Sequence, residues 1–316
     1  MAGNAVLFPG NDGKLQARTI LLQTKAAPHL SSTQVPIGMT KSLSWLGCQV
    51  LVCGGSSGLG LHLVIAAARQ NAKIAIVGRD ANRLDAARLI ALKHGAASVA
   101  CFSIDLRNCD SNTTDDSAKL AQWLSENDVA LLINAIGRSD RGLLEQLNSK
   151  DLISLFEDNV LCTWNMIQLA LHSLKRSKGS IVNIGSLAGL VSAPNMGGYS
   201  IAKFGLTALS RQLRLELAKD NVSVTLVCPG PIERDDSGNR YQSLAVSRGL
   251  SNTATAPAGG AKLRMLDPEK LCDKILEAAS QRRKELVCPA KAKWLAAIMP
   301  IWPNLADRIL RSLLSS

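Results

Sequence analysis

Aromatic side chains are scarce in this chain of 316 residues: four Phe, two Tyr and five Trp. Proteins that bind single-stranded nucleic acid stack bases on aromatics along a basic groove. The net charge is +11, but the chain ends hold most of it. Residues 1–45 carry four basic and one acidic side chain, and residues 282–316 carry seven and two. That leaves +3 for the 236 residues between them. A near-neutral body with few aromatics argues against a nucleic-acid partner. Long apolar runs are missing as well. The nearest approach, Trp294 to Trp302, is interrupted by Pro300 and followed by Pro303, far short of the roughly 18 residues a membrane span needs. No two of the eight cysteines have CxxC spacing, and no His stands near them at metal-ligand spacing, so no metal is expected. Thiols used this way suit a reducing cytoplasm. Residues 1–19 lack the basic start and apolar stretch of a secretory leader.

Apolar residues, by contrast, make up 47% of the chain and charged ones 19%. A sizeable core is available, and disorder throughout is excluded. Residues 1–45 show no sustained period and read as a loose N-terminal arm, with Met39 as an alternative start just before the first strand. From residue 46 to 290 short apolar runs alternate with helical patterns. The runs are 49–53, 73–77, 98–102, 129–133, 180–184, 222–228 and 285–288. Helical segments are expected at 59–69, 81–93, 115–125, 149–173, 199–218 and 268–280. Strands separated by helices make βαβ units. Runs that are apolar throughout suit strands covered on both faces. The expected fold is α/β, a doubly wound parallel sheet of Rossmann type in a single domain.

The first run is followed by Gly54-Gly55-Ser56-Ser57-Gly58-Leu59-Gly60 and then a helical pattern. Glycines between a first strand and a first helix let backbone N–H groups approach a pyrophosphate, and the helix N-terminus adds positive potential. The second run ends in Gly78-Arg79-Asp80. An acidic residue directly at that strand end would bind a free ribose 2′-hydroxyl. Gly78 has no side chain to do so, whereas the Arg79 guanidinium suits a 2′-phosphate. NADP is therefore favoured over NAD; as a plain solvated helix-start residue, Arg79 would favour neither.

Tyr199 and Lys203 stand four apart on an expected helix and so share a face. A phenol beside a fixed ammonium has its pKa lowered and can exchange a proton with a carbonyl or alcohol. Ser186 lies thirteen residues upstream of Tyr199, just past a strand end, where a hydroxyl can hold a substrate oxygen. The histidines, His29, His62, His94 and His172, form no cluster, and Trp123 and Trp164 read as packing residues.

Together these residues resemble the short-chain dehydrogenase/reductase family over roughly residues 46–290. The family's opening glycine motif corresponds to Cys53 through Gly60. Its aspartate after the third strand corresponds to Asp105, followed by Leu106, and its Asn-Asn-Ala-Gly to Ile133-Asn134-Ala135-Ile136. The family's Pro-Gly corresponds to Pro229-Gly230, continuing as Pro231-Ile232. The threonine common in the family after that is missing, and Glu233 and Arg234 stand in its region.

The resemblance implies an NAD(P)-dependent oxidoreductase acting on a small-molecule carbonyl or alcohol. It implies catalysis by Asn159, Ser186, Tyr199 and Lys203, with Asn159 holding a water in the proton relay. It implies cofactor contacts from Gly54, Ser56, Ser57, Gly58, Leu59, Gly60, Arg79, Asp105, Leu106, Asn134, Tyr199, Lys203, Pro229, Gly230 and Ile232. It also implies a homo-oligomer and a substrate lid within 231–266. A cofactor-binding regulatory protein without turnover is the alternative.

The tail, 291–316, interleaves Trp294, Leu295, Ile298, Trp302, Leu305, Ile309 and Leu313 with Lys291, Lys293, Arg308 and Arg311. Leu305, Ile309 and Leu313 give one apolar stripe, and the two prolines are expected to split the tail into two helices. Three placements suit such a tail: a peripheral membrane surface, this domain, or a subunit interface. The first would fit a lipophilic substrate.

Overall fold

The computed structural model describes residues 6–9, 15–18, 45–108, 115–192, 194–234, 241, 248–250 and 264–315. The chain divides into two units, 1–41 and 42–316. In the first, β1 (Val6–Pro9) and β2 (Leu15–Arg18) pair as an antiparallel hairpin within the expected arm. Most other residues of that arm lie outside the described residues.

The second unit holds seven parallel strands: β3 (Gln49–Cys53), β4 (Lys73–Gly78), β5 (Ser98–Ser103), β6 (Val129–Asn134), β7 (Ser180–Ile184), β8 (Ser223–Pro229) and β9 (Glu285–Cys288). Their order across the sheet is β5-β4-β3-β6-β7-β8-β9. Helices α1 (Gly58–Ala68), α2 (Ala81–Lys93), α3 (Asp115–Glu126), α4 (Ser149–Phe156), α5 (Cys162–Ser177), α6 (Tyr199–Glu216) and α7 (Pro268–Ser280) lie between strands. Helices α8 (Ala292–Ile298) and α9 (Pro303–Ser315) follow β9.

Side chains of a strand alternate between faces, and here both faces are dry. Val50, Val52, Ile74 and Ile76 pack with Leu63 and Val64 of α1, Leu84 of α2 and Ile275 of α7. Leu51, Cys53, Ala75 and Val77 pack on the other side with Leu120 of α3, Met166 and Leu174 of α5 and Leu213 of α6. This two-sided burial is why the strands read as unbroken apolar runs.

Strand order reverses at β3, whose neighbours are β4 and β6. At such a switch point the loops leaving adjacent strand ends diverge and open a crevice. The sequence motifs sit on these loops. Asp80 caps α2 by accepting from the Arg83 N–H at 3.1 Å, and Asp267 caps α7 by accepting from Glu269 and Lys270, with Pro268 at the first helical position. The Ser57 side chain does not cap α1, and α1 has no acidic residue in its first turn, so its leading N–H groups keep their positive potential for a ligand.

Helices α4 and α5 are continuous through one π-helical turn, Glu157–Leu161, which carries Asn159. Such turns are frequent at functional sites. In the tail, Pro303 opens α9. The apolar stripe is set differently, however. Ala306 is the fully buried residue, with Ile309 and Leu310 half-buried beside it, and Leu305 points to solvent. The small Ala306 side chain lets the helix backbone approach closely, which turns the stripe by one position.

Candidate active site

A cleft of about 890 Å³ runs along the strand ends. Gly54, Ser56, Ser57, Gly58, Leu59 and Gly60 form one end. Arg79, Asp105 and Leu106 line the wall beyond β4 and β5. Ser186, Tyr199, Lys203, Pro229, Gly230 and Ile232 line the other side.

Glycine is required at two points of the loop. Gly60 packs on the chain so closely that a Cβ there would lie 2.0 Å from the Gly54 carbonyl oxygen. Gly58 has φ +52°, in the left-handed region. The result is a backbone cradle at the start of α1, the form and potential that a nucleotide pyrophosphate needs. At the end of β4 there is no carboxylate, since Gly78 occupies it, and Arg79 follows on the cleft wall. Asp105 pairs with Arg107 at 2.5 Å, and the Arg107 hydrogen bond holds its carboxyl below the usual range.

Tyr199 is the first residue of α6, where the helix dipole favours a negative oxygen. One turn on, the Lys203 ammonium lies 5.7 Å from the centre of the Tyr199 ring and donates to the Ile184 carbonyl at 3.0 Å. Lys203 is 4% exposed. Burial pulls its pKa down from 10.5 to about 8, partly opposed by Cys228. Ser186 ends the approach from β7. Its Oγ accepts from the Ala188 N–H at 3.1 Å, which leaves the hydroxyl proton for an oxygen in the cleft.

Two expected site residues stand behind the cleft wall. Asn134 is buried in β6 and donates to Asn183 Oδ1 at 2.9 Å, because the alternation of the strand turns it into the sheet interior. Its neighbour Ala135 faces the cleft instead. Asn159 is fully buried and donates to the carbonyls of Arg138 and Leu155, both at 2.9 Å. Its Oδ1 has no hydrogen-bond partner. A Cβ on Gly137 would lie 2.5 Å from that oxygen and 3.2 Å from Lys203 Nζ, so the missing side chain leaves a small polar gap between the two.

The loop after β6 brings in residues that sequence reasoning passed over. Arg138 pairs with Asp158 at 2.9 Å. Ser139 Oγ and the Tyr241 hydroxyl are 2.7 Å apart, and the buried Arg141 guanidinium lies 4.2 Å from the Tyr241 ring centre. All these residues line the cleft. The available signal was position: Arg138, Ser139 and Arg141 follow the end of β6 at the switch point. Much of the 231–266 stretch, read as a lid, lies outside the described residues.

Burial pushes Cys162, Cys228 and Cys272 up to about 12, so they remain protonated small hydrophobes. Among the described residues no group of three potential metal ligands occurs.

A family model described as short chain dehydrogenase matches residues 49–243. The chain belongs to the short chain dehydrogenase family. A ketoacyl reductase of Nostoc sp., HetN, is 26% identical over 84% of this chain and 88% of its own length. Carbonyl reductase family member 4 of Xenopus tropicalis is 31% identical over 71% and 88%. The 3-ketodihydrosphingosine reductase of Mus musculus is 28% identical over 78% and 72%. A solved short-chain dehydrogenase from Burkholderia cenocepacia, in complex with NADP, superposes with a TM-score of 0.65 at 23% identity over 85% of this chain and 99% of that one. That likeness is one of fold. Membership makes this chain an NAD(P)-dependent oxidoreductase acting on a small-molecule carbonyl or alcohol.

Proposed function

We propose that this protein uses NADP to reduce a ketone carried on a lipophilic molecule, or to oxidise the matching alcohol. The observation that carries the reading is the convergence of Tyr199, Lys203 and Ser186 in one cleft whose far end is the glycine loop. When bound, the nicotinamide supplies or accepts the hydride. Tyr199 donates the proton to the reacting oxygen in reduction and takes it back in oxidation. The Lys203 ammonium stabilises the phenolate that remains. Ser186 donates its hydroxyl proton to the same oxygen and stabilises charge developing there. Asn159, with its open Oδ1 facing the Gly137 gap, holds a water that passes protons onward from Lys203.

Arg79 supports NADP over NAD, since its guanidinium lines the cleft where an acid would otherwise bind the 2′-hydroxyl. Gly54, Ser56, Ser57, Gly58, Leu59 and Gly60 hold the pyrophosphate, Asp105 and Leu106 the adenine. Pro229, Gly230 and Ile232 flank the nicotinamide. Asn134 acts from behind the wall by fixing β6 against β7 through Asn183.

The lipophilic reading rests on the wall made by Leu187, Val191, Met196, Leu295, Ile309 and Leu310. The last three, all from the tail, extend the catalytic end with apolar surface. Relatives named for ketoacyl and 3-ketodihydrosphingosine reduction point the same way. The other side of the tail exposes Trp294 (76%), Ile301 (65%) and Trp302 (61%), with Arg308 bordering the latter pair. Exposed tryptophans among cations suit peripheral contact with an anionic membrane surface. Among the described residues no helix is long and apolar enough to cross a membrane. Exposed Ile153, Phe156, Ile201 and Phe204 on α4 and α6 support a homo-oligomer.

The test is NADPH oxidation, followed by nicotinamide absorbance, across short ketoesters, long-chain β-ketones and sterol-like ketones, with Tyr199→Phe as the blank. Turnover of a long-chain ketone that falls at least a hundredfold in Tyr199→Phe is expected. Coenzyme binding without turnover of any ketone or alcohol would favour a regulatory protein.

A further inference from the structure

Asp140 is an enclosed carboxylate, 2% exposed, on the loop that follows β6. Its neighbours Ser139 and Arg141 line the cleft. A buried charge is costly unless it is paired and hydrogen-bonded, and Asp140 has partners from two distant parts of the chain. Its Oδ2 accepts from the Gly198 N–H at 3.3 Å, and its Oδ1 pairs with the Arg248 guanidinium at 2.8 Å. Gly198 is the N-cap of α6, directly before Tyr199. Arg248 comes from the stretch between β8 and α7, and its side chain is itself 15% exposed.

The turn that leads into α6 is gripped from two sides. On one side the Gly142 N–H donates to the Asn195 carbonyl at 3.1 Å, and the Gly197 N–H donates to the Gly142 carbonyl at 3.0 Å. On the other, a Cβ on Gly198 would lie 2.8 to 3.2 Å from side-chain carbons of Leu155, Leu147 and Leu152. A Cβ on Gly197 would run into Asp140 Oδ2, so the two glycines let the carboxylate and the leucines close on the backbone. The Tyr199 N–H completes the turn by donating to the Met196 carbonyl at 3.2 Å. Tyr199 thus starts from a backbone that Asp140 holds.

The same loop also holds the stretch after β8. Arg248 Nη1 donates to the Arg141 carbonyl at 2.6 Å, and Nη2 lies 3.5 Å from Asp151 of α4. Ser139 Oγ and the Tyr241 hydroxyl meet at 2.7 Å. Asp140 is where the two sets of contacts join.

We propose that Asp140 is a positioning residue for Tyr199: it anchors the turn before α6, and Arg248 holds the anchor in place from the stretch after β8. This inference rests on the reading of Tyr199 as proton donor and adds a claim of its own, that Asp140 and Arg248 affect turnover through the place of the tyrosine. A misplacement of about 1 Å in a reacting group can cost up to about a hundredfold in rate. Coenzyme affinity, set mainly at the glycine loop, does not depend on it.

The experiment is a double-mutant cycle on the full chain, read as kcat and KM for NADPH in the reduction of a long-chain β-ketone. Asp140→Ala, Asp140→Asn and Arg248→Met are each made alone and together with Tyr199→Phe. Asp140→Ala is expected to lower kcat about tenfold or more, with KM for NADPH within about twofold of the unmutated value. Asp140→Asn keeps an acceptor for the Gly198 N–H and recovers part of that rate, and Arg248→Met loses less than Asp140→Ala. In the Tyr199→Phe background none of the three lowers kcat further. A merely structural role would reduce the amount of active protein, and its loss would multiply with that of Tyr199→Phe. Multiplying losses therefore overturn the anchor, as does an unchanged kcat in Asp140→Ala, and both leave the proton-donor reading intact. A Tyr199→Phe variant as fast as the unmutated chain, or an unmutated chain without turnover, overturns that reading and the anchor with it. If Asp140→Ala does not fold, Asp140→Asn combined with Arg248→Met, which removes both charges together, carries the same cycle, and an unchanged kcat there overturns the anchor.

Discussion

The Lys203 ammonium lies 5.7 Å from the centre of the Tyr199 ring with the lysine stem fully enclosed. Tyr199 starts α6, Lys203 comes one turn later, and the Ile184 carbonyl at the end of β7 fixes the ammonium. A buried cation held against one carbonyl is poorly solvated, so a negative oxygen nearby gains more from it than it would in water. That is the physical basis on which Tyr199, a weak acid, is proposed as the proton donor.

Burial of Lys203 predicts a pH dependence of stability. Its pKa is about 8 in the folded chain against 10.5 for an ordinary lysine. Between those values the unfolded chain holds the proton and the folded chain has lost it, so this group makes stability rise with pH across that window. Below about pH 8 both states are protonated, and the cost of enclosing the charge is present in full. Lys203→Met removes the contribution. Urea unfolding of the ligand-free protein at several pH values from 7 to about 10.5 is the check. The unmutated chain gains stability relative to Lys203→Met as pH rises. Parallel curves for the two proteins would mean that Lys203 titrates as a solvated lysine.

Asn159 has a structural task and a proposed chemical one, and one substitution separates them. Asn159→Ala leaves the Leu155 and Arg138 carbonyls without their side-chain donor, a loss of about 1–3 kcal/mol in stability. It also removes the Oδ1 that borders the Gly137 gap. The expected outcome is a lower kcat with little change in KM for NADPH, and a shifted pH profile of kcat. A variant that loses stability but keeps kcat and its pH profile would leave Asn159 with the π-turn alone.

Gly60 is the least replaceable residue of the glycine loop. A Cβ there would stand 2.0 Å from the Gly54 oxygen and 2.8 Å from its carbonyl carbon, and backbone cannot swing aside as a side chain can. Gly60→Ala is expected to destabilise the fold by several kcal/mol and to abolish coenzyme binding. Gly47→Ala is the control: at φ +67° with nothing near its Cβ, it costs about 1–2 kcal/mol of left-handed strain. Denaturant melts and NADPH titration of the two variants test the contrast.

The sheet was legible because its strands are buried on both faces. Gln49–Cys53, Ser180–Ile184 and Glu285–Cys288 coincide with their apolar runs, the runs 73–77, 98–102 and 129–133 each stop one residue short of their strands, and 222–228 is offset by one residue at both ends. Local chemistry also announced the glycine loop and the Tyr199–Lys203 pair, whose spacing is fixed by the helix. What was not legible depends on three-dimensional approach. Asn134 and Asn159 were identifiable, but their burial behind the wall follows from strand alternation and a π-turn that periodicity does not register. Asp140 and Arg248 gave no signal, since their ion pair joins the loop after β6 to the stretch between β8 and α7. Ala306 was missed as the tail's anchor because its importance comes from being small.

The tail predicts a separable lipid-binding activity. Its inner face lends Leu295, Ile309 and Leu310 to the cleft, while Trp294 and Trp302 point outward. Trp294→Ala with Trp302→Ala removes the two outward tryptophans without touching the cleft wall. The double variant is expected to lose most of its partition onto vesicles rich in anionic phospholipid, measured by co-sedimentation, while its kcat/KM for a water-soluble ketone stays within about twofold. Raised salt should weaken binding of the unmutated chain as well, because Lys291, Lys293, Arg308 and Arg311 contribute by charge. For a ketone presented in the vesicles, turnover should fall in step with partition. If the double variant binds vesicles as well as the unmutated chain, or the unmutated chain does not bind them, the outward tryptophans serve a protein surface instead, and the apolar cleft takes its substrate from solution.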